Sequence, residues 1–162
     1  MIVIMGVSGC GKTTVGSLLA QKLDAPFYDA DDFHPEENVQ KMQSGNSLND
    51  TDREPWLRLL ANRIQTWSEK GEAVLACSAL KHRYRNLLDP TRAAFWVYLQ
   101  GDYDTIVQRL QQRTDHYMPP SLLKSQFDTL EVPENALHLA VTHSPEALVS
   151  TIVTQYSLYE KS

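Results

Sequence analysis

Residues 6–13 combine glycine, lysine and threonine at a spacing that suits phosphate binding. They fit the pattern G-x-x-x-x-G-K-T and follow Met1–Met5, a short apolar run typical of a buried strand. Apolar residues recur at helical spacing after Thr13. The glycines permit backbone angles at which several N–H groups can converge on phosphate oxygens. Strand, glycine-rich turn and helix together predict a phosphate-binding loop for a nucleoside triphosphate.

Two side chains at the end of this loop have specific chemical roles. Lys12 can reach the β- and γ-phosphates of a bound nucleotide, and the Thr13 hydroxyl can ligate Mg²⁺. The helix that begins here adds the partial positive charge of its N-terminus. The residues that we predict to contact the nucleotide in this stretch are Gly6, Val7, Ser8, Gly9, Cys10, Gly11, Lys12, Thr13 and Thr14.

Three carboxylates, those of Asp29, Asp31 and Asp32, lie at the carboxyl end of the second strand-like run. Ligands of open α/β sheets bind at the carboxyl ends of the strands. Because successive strand residues face opposite sides, we expect Asp29 and Asp31 to point in the same direction. One carboxylate near Mg²⁺ and another that accepts a hydroxyl proton would suit phosphoryl transfer to an alcohol. The alternative is a solvated acidic loop that caps the next helix, which is the interpretation that we favour for Asp32.

The remaining motifs narrow the class of nucleotide-binding protein. The third strand-like run continues into residues 76–81 without the aspartate that nucleotide hydrolases usually place there. The Asn-Lys-x-Asp signature of the small GTPases is also absent from the sequence. The sequence therefore favours a small-molecule kinase.

Strand-like and helix-like stretches alternate along the 162 residues, which predicts a five-stranded parallel sheet with helices on both faces. We expect a long helix capped by Thr51 or Asp52, with Pro55 in its first turn, and a single domain over 1–162. Residues 114–134 contain three prolines and are predicted to form a small lid. The predicted strands are Ile2–Met5, Pro26–Ala30, Ala73–Cys77, Phe95–Leu99 and Leu137–Val141, and further helices are predicted over Tyr103–Arg113 and from Ser144 or Pro145 to Tyr159.

Composition and charge exclude several functions. The formal net charge of −5 gives no broad basic footprint, so we do not expect a nucleic-acid partner. No apolar run approaches the roughly 20 residues of a membrane span, and the first strand leaves no room for a signal peptide. The two cysteines provide no disulfide framework, which is consistent with a cytoplasmic protein.

Several segments beyond the phosphate-binding loop resemble the gluconate kinases (gluconokinases) of the small P-loop type, which are related in fold to shikimate and adenylate kinases. These segments keep the order that they have in the family, from residue 1 to about residue 133. They are Met5–Gly9, Asp31–Pro35, Asn49–Leu57, Ala76–Lys81, His116–Pro119, Leu123–Phe127 and Thr129–Glu131.

The resemblance implies a three-layer P-loop fold of the nucleoside and shikimate kinase type, and transfer of phosphate from ATP to the 6-hydroxyl of D-gluconate. It also implies Mg²⁺ as a second cofactor, with Asp29 near the metal, and it suggests a homodimer. Two alternatives stay open at this point: a kinase of another small hydroxy acid or polyol, and a nucleotide sensor without catalysis.

The resemblance also implies roles for individual residues. Lys12, Asp31 and Arg113 would be catalytic, with Asp31 as the base that contacts the substrate hydroxyl, and Arg109 would lie against the adenine and phosphates. The pocket for the sugar acid would be lined by Asp31, His34, Arg53 and Lys81, with His116 closing over it from the lid. Arginine suits an anionic substrate because its guanidinium can bind a carboxylate with two parallel hydrogen bonds. For Arg53 the competing interpretation is a surface ion pair.

Overall fold

A computed structural model describes residues 1–113 and 119–162 of the chain. Five parallel strands form one sheet in the order β2-β3-β1-β4-β5, as the sequence predicts. Their bounds lie within one or two residues of the predicted ones. The strands are β1 (Ile2–Met5), β2 (Phe27–Asp29), β3 (Val74–Ala76), β4 (Phe95–Gln100) and β5 (Leu137–Ala140).

Helices pack against both faces of this sheet. Successive residues of β1 divide between two hydrophobic clusters, Ile2 and Ile4 in one and Val3 and Met5 in the other, because strand side chains alternate between faces. The described helices are α1 (Lys12–Leu23), α2 (Glu36–Gln43), α3 (Asp50–Lys70), α4 (His82–Leu88), α5 (Tyr103–Gln111), α6 (Pro120–Thr129) and α7 (Pro145–Tyr159), and a short 3₁₀ helix spans Ala30–Phe33. Helices α1, α5, α6 and α7 contribute to the Ile2 cluster, and α3 and α4 contribute to the Val3 cluster.

The start of α3 differs from the prediction. Asn49 caps this helix, rather than Thr51 or Asp52, because its side chain accepts a hydrogen bond from the Asp52 N–H at 2.8 Å. The Asp52 carboxylate accepts in return from the Asn49 N–H at 2.9 Å, which completes a capping box. Pro55 therefore lies in the second turn of the helix and not in the first.

The close approach of α1 to β2 depends on Gly16. A Cβ atom at Gly16 would lie 2.6 Å from Cε2 of Phe27, so only glycine allows this contact. Thr13 lies three residues before Gly16 on the same face of α1, and Asp29 lies two residues after Phe27 on the same face of β2. The contact between glycine and phenylalanine therefore brings Thr13 to Asp29.

No helix in the described ranges is long and apolar enough to cross a membrane. The predicted long helix ends at Lys70, directly before Gly71, and the final helix has Ser144 as its N-cap, both as expected from the sequence. The predicted lid begins in residues 114–118, which lie outside the described residues. Its remainder contains α6 and the extended stretch that leads to β5.

Candidate active site

The loop between β1 and α1 has the backbone geometry of a phosphate cradle. Gly9 and Gly11 have φ angles of +80° and +98°, which side-chain-bearing residues rarely adopt. Gly11 is the N-cap of α1, and no side chain caps this helix end. Open space surrounds the position where Gly11 would carry a Cβ atom. The first N–H groups of α1 are thus not capped by a side chain, which fits a bound phosphate group.

The side chains of Lys12 and Gln126 stabilise this loop through hydrogen bonds. Nζ of Lys12 donates a hydrogen bond to the carbonyl oxygen of Val7 at 2.9 Å. On the other side, the amide of Gln126 in α6 forms two hydrogen bonds with Ser8: its Oε1 accepts from the Ser8 N–H at 2.7 Å, and its Nε2 donates to Ser8 Oγ at 3.1 Å. The loop is therefore held from within and from α6.

Thr13 and Asp29 form an oxygen pair that suits Mg²⁺. The Thr13 hydroxyl donates to Oδ2 of Asp29 at 2.9 Å. Among the described residues no group of three or more His, Cys, Asp or Glu side chains could hold a metal ion by itself. Few protein ligands are what Mg²⁺ needs beside a nucleotide, because it keeps several waters and binds substrate phosphates. The residues present therefore fit a Mg²⁺ ion that is shared with a phosphate chain.

Asp31 does not continue the strand in the way that the alternation argument assumes. It lies in the 3₁₀ helix, where its N–H donates to Oδ1 of Asp29 at 3.0 Å. The Asp31 side chain is 77% exposed, and its Oδ1 lies 3.9 Å from Nε2 of His34. The two carboxylates still belong to one site because a tight turn, and not strand alternation, brings them together.

His34 is a buried neutral imidazole. Its side chain is 6% exposed, and its ring stacks on Trp56 with the centroids 4.1 Å apart. Burial, followed by the nearby Arg53 guanidinium, lowers the pKa of His34 from 6.5 to about 4. Trp56 itself donates from Nε1 to the carbonyl oxygen of Ala30 at 2.8 Å, which anchors the 3₁₀ helix that carries Asp31.

Arg53 and Lys81, both predicted to line the substrate pocket, meet at Tyr84. The Arg53 Nη1 donates to the Tyr84 hydroxyl at 3.1 Å, and Nζ of Lys81 donates to both oxygens of Asp50, at 2.9 and 3.2 Å. The Tyr84 hydroxyl in turn donates a short hydrogen bond to Asp50. Both cations also lie over the Tyr84 ring, 5.5 and 5.7 Å from its centroid. Tyr84 thus links the Arg53 guanidinium to the Asp50 carboxylate, which in turn binds the Lys81 ammonium.

The ionisation of this cluster follows from its contacts. Hydrogen bonds from Tyr84 and then from Lys81 lower the pKa of Asp50. The hydrogen bond to Asp50 raises the pKa of Lys81, and burial followed by the same carboxylate raises the pKa of Tyr84. Asp50 is therefore a carboxylate, Lys81 an ammonium and Tyr84 a neutral phenol at neutral pH. Neither Asp50 nor Tyr84 is among the predicted site residues, although Asp50 lies in a segment that carries the family resemblance.

A cavity of about 370 Å³ adjoins the phosphate-binding loop on the side of α5 and α7. Gly9 lines it from the loop and Thr14 from the first turn of α1. Arg109 lines it from α5, and Arg113 from just after that helix. The Arg109 guanidinium donates a short hydrogen bond to the carbonyl oxygen of Val141, whereas Arg113 is exposed. The cavity has room for the nucleoside part of a nucleotide whose phosphates lie in the loop.

The described site residues therefore lie on two sides of the phosphate-binding loop, with the arginines of α5 on one side and the cluster around Tyr84 on the other. Of the predicted site residues, His116 lies outside the described residues. Gln126, which contacts Ser8, is a contact residue that the sequence does not single out. It belongs to the segment Leu123–Phe127, whose resemblance to the family was the available signal.

Comparison with known proteins identifies the family. A family model described as shikimate kinase matches residues 8–151. The probable gluconokinase of Xenopus tropicalis is 44% identical, over 94% of this chain and 90% of its own. The thermosensitive gluconokinase of Escherichia coli (strain K12) is 46% identical, over 82% of this chain and 72% of its own. The chain belongs to the gluconokinase family. The family resemblance expected from the sequence is thus confirmed.

A solved gluconokinase structure agrees with this assignment. The gluconokinase from Sinorhizobium meliloti 1021 superimposes with a TM-score of 0.87 and 36% identity, covering 99% of this chain and 96% of the other. The gluconokinase fold thus spans the whole sheet and its helices, which confirms the predicted α/β P-loop architecture.

Proposed function

We propose that this chain catalyses the ATP-dependent phosphorylation of D-gluconate at its 6-hydroxyl, which yields 6-phospho-D-gluconate and ADP. The observation that carries the proposal is the position of a guanidinium and an ammonium, those of Arg53 and Lys81, around one buried tyrosine beside Asp31 and His34. An anionic polyol requires a cation for its carboxylate and polar side chains for its hydroxyl groups. Shikimate kinases share the fold, but no observation on this site favours their substrate.

On the nucleotide side, the glycine-rich loop and Lys12 bind the phosphates of ATP, and Arg109 and Arg113 line the cavity for its nucleoside. Thr13 and Asp29 would hold Mg²⁺, which when bound withdraws charge from the transferring phosphoryl group. Lys12 must leave its present contact with Val7 to reach the phosphates. The exposed Arg113 can approach the transferring group as the site closes and water is excluded.

On the substrate side, Asp31 accepts the proton of the attacking hydroxyl as that oxygen bonds to phosphorus. Its exposed side chain is open to an incoming substrate. The neutral His34 exchanges hydrogen bonds with substrate hydroxyl groups rather than pairing with the carboxylate. Arg53 and Lys81 bind the carboxylate. His116 adds a contact from the predicted lid, 114–134, in which α6 is the fixed part because Leu123 lies in the core.

The remaining features of the proposal concern the assembly and the compartment. We place the protein in the cytoplasm, supported by its use of ATP and by its two cysteines, which are both buried and free. We further infer a single domain that forms a homodimer, supported by the family resemblance. Sedimentation equilibrium would give the mass of the assembly directly, and a monomer at micromolar concentration would rule out the dimer.

The test is an ADP-release assay with Mg²⁺ and ATP across gluconate, other aldonic acids, shikimate and nucleoside monophosphates. We expect turnover with gluconate and phosphate on the C6 oxygen. Turnover with shikimate or a nucleotide alone would assign another acceptor, and ATP binding without any turnover would indicate a sensor. Asp31→Asn should retain ATP affinity and lose turnover at least about 100-fold. The neighbouring Asp32→Asn changes charge equally and serves as the matched control.

A further inference from the structure

The stretch from Gln126, in the last turn of α6, to Glu131, two residues after the helix ends, contacts both sides of the proposed active site. At one end of this stretch, Gln126 forms the two hydrogen bonds with Ser8 that hold the phosphate-binding loop. Both groups of the amide are used, the oxygen toward a backbone N–H and the nitrogen toward a hydroxyl. Such a pair of bonds fixes the loop in orientation as well as in distance.

At the other end, Glu131 holds the loop that carries Lys81. Its Oε2 accepts from the N–H of His82 at 2.7 Å, and its own N–H donates to the carbonyl oxygen of Leu80 at 2.8 Å. Both neighbours of Lys81 along the chain are thus bound to one residue. The buried Arg85 donates to the carbonyl oxygen of Glu131 at 3.0 Å, which fixes Glu131 in turn.

This stretch and the preceding turn of α6 pack against the protein core. Leu123 is 1% exposed within the cluster that contains α1 and α7. Phe127 packs edge-to-face on Tyr103 of α5, with the ring centroids 5.6 Å apart. Leu130 contacts the hydrophobic clusters on both faces of the sheet. These contacts anchor the stretch, so loss of a hydrogen bond at one end leaves the contact at the other end in place, because close-packed side chains resist displacement.

We propose that Gln126 and Glu131 are positioning residues that hold the ATP loop and the Lys81 loop in one fixed relative geometry. Neither residue needs to touch a substrate. Gln126 acts through Ser8 on the phosphate-binding loop, and Glu131 acts through the backbone on both sides of Lys81. The inference rests on the proposed function for the identity of the two substrates, but the two loop contacts exist independently of it.

The test compares two variants, each of which should weaken the binding of a different substrate. Gln126→Met keeps the length of the side chain and removes both hydrogen bonds, so we expect ATP affinity to fall about tenfold with the KM for gluconate unchanged. Glu131→Met removes the acceptor for His82, so we expect the KM for gluconate to rise about tenfold with ATP affinity unchanged. ATP affinity is measured by isothermal titration calorimetry, which does not depend on turnover.

Two further variants separate positioning from general stability. Glu131→Gln keeps an acceptor oxygen and should restore the KM for gluconate to within about twofold of the original. Lys124→Ala removes an exposed ion pair with Asp128 from the same helix and should leave both constants unchanged. A loss of ATP affinity in one variant and of gluconate binding in the other, together with this rescue, would support the proposal.

Two results would overturn it. If both variants lowered only the melting temperature, or changed both constants in parallel, α6 would be a structural helix without a positioning role. Failure of the proposed function gives a different result, because wild-type protein would then show no gluconate turnover while Gln126→Met still weakened ATP binding in calorimetry. An unchanged ATP affinity in Gln126→Met contradicts the inference whatever the acceptor is.

Discussion

Acidification from pH 7.5 to pH 5 should destabilise the folded chain through His34. The folded protein keeps this imidazole neutral because the ring is buried against Trp56 and faces the Arg53 guanidinium, and its pKa is about 4. In the unfolded chain the pKa returns to about 6.5. Between these two values the unfolded chain binds more protons than the folded chain, so the free energy of unfolding falls as the pH falls.

The magnitude follows from the two pKa values. At pH 7.5 the imidazole is neutral in both states and contributes almost nothing. At pH 5 it is protonated in the unfolded chain and mostly neutral in the folded chain, which lowers the free energy of unfolding by about 2 kcal/mol. The effect is complete only below pH 4, where it approaches about 3 kcal/mol. The Asp31 carboxylate, 3.9 Å from Nε2 of His34, acts in the opposite direction to Arg53, because a negative charge favours the protonated imidazole.

Urea unfolding of wild type and His34→Gln at pH 7.5 and pH 5 measures this effect. Glutamine keeps hydrogen-bonding groups and does not titrate, so the other carboxylates and histidines contribute equally to both proteins. We expect the wild type to lose about 2 kcal/mol more than the variant over this interval. An equal loss in both proteins, or an NMR titration that puts the pKa of His34 near 6.5, would refute the reasoning.

Four further substitutions test other contacts and backbone positions. Tyr84→Phe should raise the KM for gluconate about tenfold and leave the KM for ATP unchanged, because it frees Arg53 from its hydroxyl partner; a change in both constants would contradict this. Asn49→Ala should lower the free energy of unfolding in urea by about 1 kcal/mol, and no loss would mean that the cap is not used. Gly45→Ala should cost about 1–2 kcal/mol because its φ angle is +85°, and Gly9→Ala, with a φ angle of +80° and a crowded Cβ position, should cost more. Only Gly9→Ala should also weaken ATP binding in calorimetry, since its Cβ would overlap a leucine of α5 at 2.8 Å; equal ATP affinities would remove that distinction.

Local patterns in the sequence predict much of this fold. Short apolar runs bounded by turn residues mark all five strands, because each of these strands has a buried or half-buried surface to fill. Helices α2 and α4 are not predicted. Both are short, at eight and seven residues, and their many polar side chains leave no long apolar stripe.

The candidate site is only partly predictable, for a related reason. Gly6–Thr13 can be recognised from the spacing of residue types within one short segment. Asp29 can be recognised as a carboxylate at the end of a predicted strand. The partnership of Asp50 with Tyr84 joins residues 34 positions apart, and the contact of Ser8 with Gln126 joins residues 118 positions apart. Such contacts depend on how elements pack in three dimensions, and a single sequence carries no local pattern for them.

The contact between Gly16 and Phe27 has a consequence for the choice of metal ion. Mg²⁺ binds oxygen at about 2.0–2.1 Å and Ca²⁺ at about 2.3–2.6 Å, so a few tenths of an ångström separate the two ions. The spacing between the Thr13 hydroxyl and the Asp29 carboxylate is set by how closely α1 lies on β2, and that distance depends on the missing side chain at Gly16. In the proposed magnesium site, discrimination between ions of different radius would thus depend on a residue that never touches the ion. A methyl group added at Gly16, one helical turn from Thr13, would then favour the larger cation.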